Sequence, residues 1–471
     1  MKKIYFTAIL FTILGPFINA QKMVLKKGEI IENLMVNDSL KSTFSLYLPT
    51  NFSTDTQWPL LMVFDVHGKE KQAMSMFVLA AEKEGYVLAA PKMVDTLSLT
   101  NNMLLTGKTI EEVVNILPIR KGRVYAAGAS SGGRFATLVP VFIPGVKGAI
   151  SIGSSLANRE LLNIKSPFHF IGMVSKDNFE YTSMLTDTKL LDKMKFPNQM
   201  LLFDGNKDWP GVEYLEKGMQ LFTLDAMGRN LIPKDSVYVE KAYTEDLAKV
   251  NHLKSIGDLL WAEQYMTEMM SIYGAHKNLD SLRSVQKELR KDKQFRAMGR
   301  NENAAFLKES LLKEDFQYYM EEDVYTHNFN NLGWWNHQMG EIQKYKNATD
   351  PYEKEMGNRL LGFVNALAED NIDVIQSNNV IDEDALAFLF MLKTILEPDN
   401  FEYYLKTISL SAKNEDFGTS LFYLEEAFKK GFKDKEKLYN LEGTALFRIT
   451  PEFNDLISKY LKDALYEIDE N

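Results

Sequence analysis

Hydrophobic positions follow two different rhythms along the chain, and the change falls near residue 228. Before it, short and nearly continuous apolar runs recur: Pro59–Phe64, Tyr86–Ala90, Arg123–Ala127, Gly148–Ile152, Phe168–Val174 and Met200–Phe203. Such runs predict strands covered on both faces. Two earlier segments, Ile30–Val36 and Thr43–Leu48, alternate and are parted by the polar turn Asn37-Asp38-Ser39. They predict two early strands. Helical spacing fills the intervals at Met74–Lys83, Lys108–Ile116, Tyr181–Met194 and Pro210–Met227. Strands alternating with helices predict a mostly parallel sheet with helices on both faces.

After Met227 the strand-like runs stop. Gly228–Tyr243 is polar and carries Pro233, so it reads as a connecting loop, with the linker proper at residues 229–243. From Thr244 onward glycine is sparse and apolar residues return at helical spacing: Leu259, Leu260, Tyr265, Met266, Met269 and Ile272 make one face. Helices are predicted at Ser281–Phe295, Glu302–Tyr318 and Met356–Leu367. Asp350-Pro351 and Glu397-Pro398 mark boundaries, since the residue before proline avoids helical angles. Four more follow at Phe401–Ser411, Ser420–Lys430, Glu436–Phe447 and Glu452–Tyr466, with Gly431 placed for a helix stop. The predicted architecture is an α/β domain over residues 21–228 followed by an all-α region over 244–471.

The first twenty residues stand apart. Lys2 and Lys3 precede the apolar run Ile4–Phe17, and Ile18-Asn19-Ala20 ends in a small residue. This is the pattern of a secretory signal, with the mature chain beginning at Gln21. The chain holds no cysteine. That leaves no disulfide for an exported protein and no cysteine for a lipid anchor, and points to a periplasmic or secreted bacterial protein. A net charge of -10 argues against nucleic acid or an anionic membrane surface as a partner. No metal-ligand spacing and no dinucleotide-binding glycine pattern occurs, so no cofactor is expected. The acidic run Glu321-Glu322-Asp323 reads as a solvated helix face, and Trp334-Trp335 as core between helices.

The candidate chemistry lies at Gly128-Ala129-Ser130-Ser131-Gly132-Gly133, between a predicted strand and a predicted helix. In Gly-x-Ser-x-Gly, small residues allow a strained turn that lifts the serine oxygen above the sheet. The alternative is a small-residue turn bearing solvated serines. Further matching residues are Phe64-Asp65-Val66-His67-Gly68, Gly172 to Asp177, and Phe203-Asp204-Gly205-Asn206-Lys207-Asp208-Trp209-Pro210. Together, over residues 28–228, they resemble an α/β-hydrolase of the esterase, carboxylesterase or dienelactone-hydrolase-like kind. The resemblance implies Ser130 as nucleophile and Asp177 as triad acid; the alternative for Asp177 is an aspartate at a helix N-terminus. It also implies an oxyanion hole from the Ser131 N–H and the His67-Gly68 loop.

The expected base is absent. Relatives of this kind commonly read Gly-Gly-His-x-Trp-Pro after the last strand, and here Lys207 stands in the histidine's place. Lysine ordinarily titrates near 10.4, so about one in 2500 is free base at neutral pH. Neighbouring Asp177 and Asp208 favour its charged form. Loss of a triad histidine costs on the order of 10⁶ in kcat. Of the other histidines, His169 lies within an apolar run, while His252, His276, His327 and His337 lie in the helical half.

The C-terminal helices at about 401–466 are similar to tetratricopeptide repeats, around Leu424, Ala427 and Gly431. That similarity implies a protein-binding surface. The whole arrangement resembles exported hydrolase-like proteins of the Bacteroidetes type. Three functional readings follow. The first is a catalytically impaired hydrolase fold acting as a protein- or ligand-binding module in the cell envelope. The second is an active serine esterase on a small ester, with Ser130 as nucleophile. The third is an accessory subunit of an outer-membrane assembly or secretion complex.

Overall fold

A computed structural model describes residues 25–36, 41–94, 98–205 and 209–462. The signal-like segment and Lys207 lie outside the described residues. The first part contains β1 (Ile30–Met35), β2 (Thr43–Tyr47), β3 (Trp58–Phe64), α1 (Glu70–Glu84), β4 (Val87–Pro91), α2 (Leu99–Ile116), β5 (Ile119–Ala129) and α3 (Ser130–Phe142). It continues with β6 (Val146–Ile152), β7 (His169–Ser175), α4 (Tyr181–Lys193), β8 (Asn198–Phe203) and α5 (Val212–Gly228).

The eight strands form one sheet in the order β1-β2-β4-β3-β5-β6-β7-β8. β2 runs antiparallel to both of its neighbours, and all later pairings are parallel. The buried strands pair in tight register, with Leu61 between Leu88 and Tyr125 and Ile150 between Ala127 and Ile171. This is an α/β-hydrolase fold with an all-helical region behind it. The parallel strands bring their C-terminal ends to one edge, which is where such sheets bind ligands.

The helical region comprises α6 (Ser236–Ser255), α7 (Leu259–Tyr273), α8 (Asp280–Lys291), α9 (Lys293–Thr326), α10 (Leu332–Lys346) and α11 (Pro351–Ser377). Then come α12 (Glu383–Leu396), α13 (Phe401–Lys413), α14 (Phe417–Lys429), α15 (Lys435–Tyr439), α16 (Ala445–Arg448) and α17 (Pro451–Tyr460). Short polar side chains cap many of them. Asp235, Asp258, Asp292, Asp350 and Asp416 each accept a first-turn N–H, as orphan amides require.

Four features depart from the sequence expectation. The segment expected as a loop to Tyr243 is helical from Ser236, because Asp235 caps α6 and Val239 and Ala242 turn inward. The sheet's core runs on through α6, α7 and α8 as far as Leu289, so the change of pattern near residue 228 does not end that core. The single helix expected at Glu436–Phe447 is split into α15 and α16, with Gly443 at φ +76° between them. And the acidic run is not wholly solvated. Asp323 is 1% exposed and accepts hydrogen bonds from Asn328, Asn331 and Trp335. Trp335 itself is fully buried core.

Candidate active site

β5 delivers the chain to the sheet edge, and α3 carries it away. Ser130 sits at the turn with φ +50°, in the left-handed region. For a residue with a Cβ this costs about 1–2 kcal/mol. Two glycines make the turn sterically feasible. A Cβ on Gly132 would lie 2.3 Å from the Phe64 carbonyl oxygen, and one on Gly128 would lie 2.4 Å from the Gly132 backbone. The strained serine between close-packed glycines is the geometry of a nucleophile elbow. Ser130 is exposed, and its carbonyl accepts from Ser154 Oγ at 2.6 Å.

The loop after β3 lies beside the elbow. Asp65 Oδ1 accepts the N–H groups of His67 (3.0 Å) and Lys69 (2.9 Å), and Gly68 turns the chain at φ +74°. His67 Nε2 thereby comes within 3.3 Å of Ser131 Oγ. The structure thus unites Ser130, Ser131, His67 and Gly68, but pairs the imidazole with the second serine. No described residue hydrogen-bonds the Ser130 hydroxyl.

Asp177 follows β7 at the same edge. Its N–H donates to Ser175 Oγ at 3.2 Å. Its carboxylate faces the helical region: Asn358 Nδ2 donates to Asp177 Oδ1 at 3.0 Å. The neighbouring Arg359 donates from Nη1 to the Lys176 carbonyl at 2.6 Å and from Nε to Glu309 Oε2 at 2.8 Å. Arg359 and Glu309 are each 1% exposed at the side chain. Lys313 pairs with Glu309 at 2.8 Å and donates to the Phe179 carbonyl at 3.0 Å. Helices α9 and α11 therefore hold the loop that carries the acid.

Between that loop, the elbow and the two helices lies a groove of about 920 Å³. Ser130, Ser131, Arg134 and Glu180 line one side, with Arg134 paired to Glu180 at 2.7 Å. Phe306, Lys313, Phe363 and Asp370 line the other. Burial pushes the carboxyl of Glu355 up to about 7, against the pull of Lys176 and Arg359. Burial likewise raises Glu302.

The remaining histidines sit away from the elbow's hydrogen bonds. His169 is buried and pairs with Gln199, as its apolar run predicts. His276 contacts the Leu224 carbonyl, and His327 contacts Asp382. No cluster of three metal-binding side chains occurs among the described residues.

Sequence reading missed Asn358, Arg359, Glu309 and Lys313. A signal for two of them exists in hindsight. Glu309 falls in the apolar stripe Ala305, Phe316, Met320 of α9, and Arg359 in the stripe Met356, Leu360, Val364 of α11. A lone acid and a lone base, each on an apolar stripe, suit a buried ion pair.

Solved structures similar to this chain are serine hydrolases and esterases. A protein of Bacteroides ovatus described as a dipeptidyl aminopeptidase IV is 16% identical, with a TM-score of 0.34, over 41% of this chain and 35% of its own. The chain thus spans about a third of that protein. Fluorophosphonate-binding serine hydrolase F from Staphylococcus aureus is 15% identical, with a TM-score of 0.35, over 42% of this chain and 99% of its own. A hyperthermophilic esterase from Pyrobaculum calidifontis is 9% identical, with a TM-score of 0.34, over 43% and 87%. No protein-family model and no curated protein sequence matches the chain. The fold assignment rests on strand order, register and the elbow.

Proposed function

We propose that this protein is a hydrolase-fold binding module whose triad is dismantled, and that it works in the bacterial cell envelope. One observation carries the reading: the carboxylate of Asp177 is held by Asn358 of α11, while the Ser130 hydroxyl has no base among the described residues. In a working triad the acid accepts from the base's Nδ1–H and fixes its tautomer. Here an amide of the helical region takes up that role's acceptor. The sequence supports the same reading, with Lys207 where the base histidine is expected.

The groove between elbow and helices is the ligand site of this reading. Its mixed lining of Phe306 and Phe363 with Arg134, Lys313 and Asp370 suits an amphipathic ligand such as a peptide or an acylated small molecule. The repeat-like helices α13 to α17 offer a surface for a protein partner, including a membrane-associated complex. The signal-like N-terminus supports a periplasmic or secreted location.

The test is steady-state hydrolysis of short-chain nitrophenyl esters by the purified mature protein and by Ser130→Ala. The two are expected to show the same rate. Turnover by the wild type that Ser130→Ala abolishes would establish the active esterase and sink the binding-module reading.

A further inference from the structure

We infer that Ser131, rather than Ser130, is the hydroxyl that this site can activate, with His67 as its base and an activated acyl ester as the class of reactant. The inference rests on the dismantled triad only in taking Ser130 as unassisted. It goes beyond that reading by adding a covalent step.

A serine hydroxyl needs an adjacent base to be a useful nucleophile, within about 2.6–3.2 Å and often looser without ligand. Ser131 Oγ and His67 Nε2 are 3.3 Å apart. With the ring proton on Nδ1, Nε2 accepts from the hydroxyl. The imidazole is not on a loose tether. Asp65 Oδ1 accepts two backbone N–H groups of the short loop, and Gly68 turns the chain at φ +74°, a conformation that favours glycine. Ser131 is exposed and lines the groove beside Ser130, so a groove ligand reaches either hydroxyl.

The surroundings suit a developing negative charge. Ser131 lies in the first turn of α3, a helix of 13 residues whose N-terminus has no side-chain cap. The first-turn amides are therefore available to an oxyanion. The step balances as ordinary acyl transfer. Ser131 Oγ bonds to the acyl carbon and its proton passes to His67 Nε2. The bond from carbon to the leaving alcohol breaks, and the alcohol takes that proton. The product is acyl-Ser131. The Asp177 carboxylate, held by Asn358, takes no part in this step.

The experiment uses the purified mature chain and a fluorophosphonate probe. Here Oγ bonds to phosphorus, the P–F bond breaks, fluoride leaves and His67 takes the proton. Mass spectrometry of the peptide spanning both serines locates the adduct. It is expected on Ser131. His67→Gln should slow labelling by about 100-fold, the lower end of a general base's usual contribution. In His67→Ala, added free imidazole should restore part of the rate, which a merely structural histidine would not permit. Melting curves establish that both variants are folded. An adduct on Ser130, labelling indifferent to His67→Gln, or no adduct on either serine overturns the inference. The last outcome leaves the binding-module reading standing. An adduct on Ser130 accompanied by ester turnover removes both.

Discussion

Asn358 and Asp177 are 181 residues apart in the chain, and the side-chain amide of the first donates to the carboxylate of the second at 3.0 Å. The next residue along, Arg359, binds the carbonyl of the residue before, Lys176. Two consecutive residues of α11 thus grip two consecutive residues of the acid loop. On the proposed reading, the carboxylate expected to orient a base instead anchors a helix.

Restoring the base alone should therefore do little. Lys207→His is expected to hydrolyse short-chain esters near the wild-type rate. Lys207→His combined with Asn358→Ala frees the acid and should gain on the order of 10²-fold over the single variant. Initial rates with nitrophenyl acetate decide the matter. Equal rates for the single and double variants would show that Asn358 does not withhold the acid.

Arg359 is the larger structural commitment. Arg359→Met leaves Glu309 buried with Lys313 as its remaining partner and strips the Lys176 carbonyl of its donor. Breaking a buried pair from one side costs about 3–5 kcal/mol. Urea unfolding should show a loss toward the lower end of that range, given the lysine. A loss under about 1 kcal/mol would mean that the pair does not hold the helices to the sheet.

Glu355 makes the same contact sensitive to pH. It faces Lys176 and Asp177 from the acid loop, Glu302 from α9 and Arg359 from its own helix. Burial raises its carboxyl from 4.5 to about 7. The folded chain then holds this proton more tightly than the unfolded chain does. Its stabilising effect is complete below the unfolded value near 4.5 and is lost as pH rises through about 7, to the extent of roughly 3 kcal/mol. Glu355→Gln should remove this slope. Melting temperatures of the two proteins should diverge between about pH 5 and pH 8 in favour of the glutamine variant, and parallel curves would count against the buried carboxyl.

The elbow's glycine spacing is also open to test. Gly132→Ala places a Cβ 2.3 Å from the Phe64 carbonyl oxygen, a contact that backbone must yield to relieve. We expect a loss of at least about 2 kcal/mol, in the range of overpacked cores. Gly145→Ala, with nothing within 4 Å of the added carbon, serves as the comparison and should stay within about 0.5 kcal/mol of wild type. Comparable melting temperatures for the two variants would contradict the close approach of β3 and the elbow.

Much of the sheet was legible because buried parallel strands must be apolar throughout. Pro59–Phe64, Gly148–Ile152 and Phe168–Val174 each coincide with a strand to within two residues. The elbow was legible because its glycines answer a local steric demand. What the sequence hid was long-range. Nothing near Asp177 announces that Asn358 will meet it, and the resemblance that brought the His67-Gly68 loop to Ser131 did not announce that the imidazole would meet the Ser131 hydroxyl. Helix ends were blurred where caps decide them. Asp292 alone separates α8 from the 34-residue α9, and no apolar period marks that break.

The long span between Asp177 and its anchor also orders events during synthesis. At about 5–20 residues per second, roughly 10–40 s separate the emergence of the acid loop from that of α11. The eight strands are complete well before then. A nascent sheet thus carries an uncovered Asp177 and a groove with one wall. The two-walled groove is then a late-acquired feature, gained only when the second wall arrives.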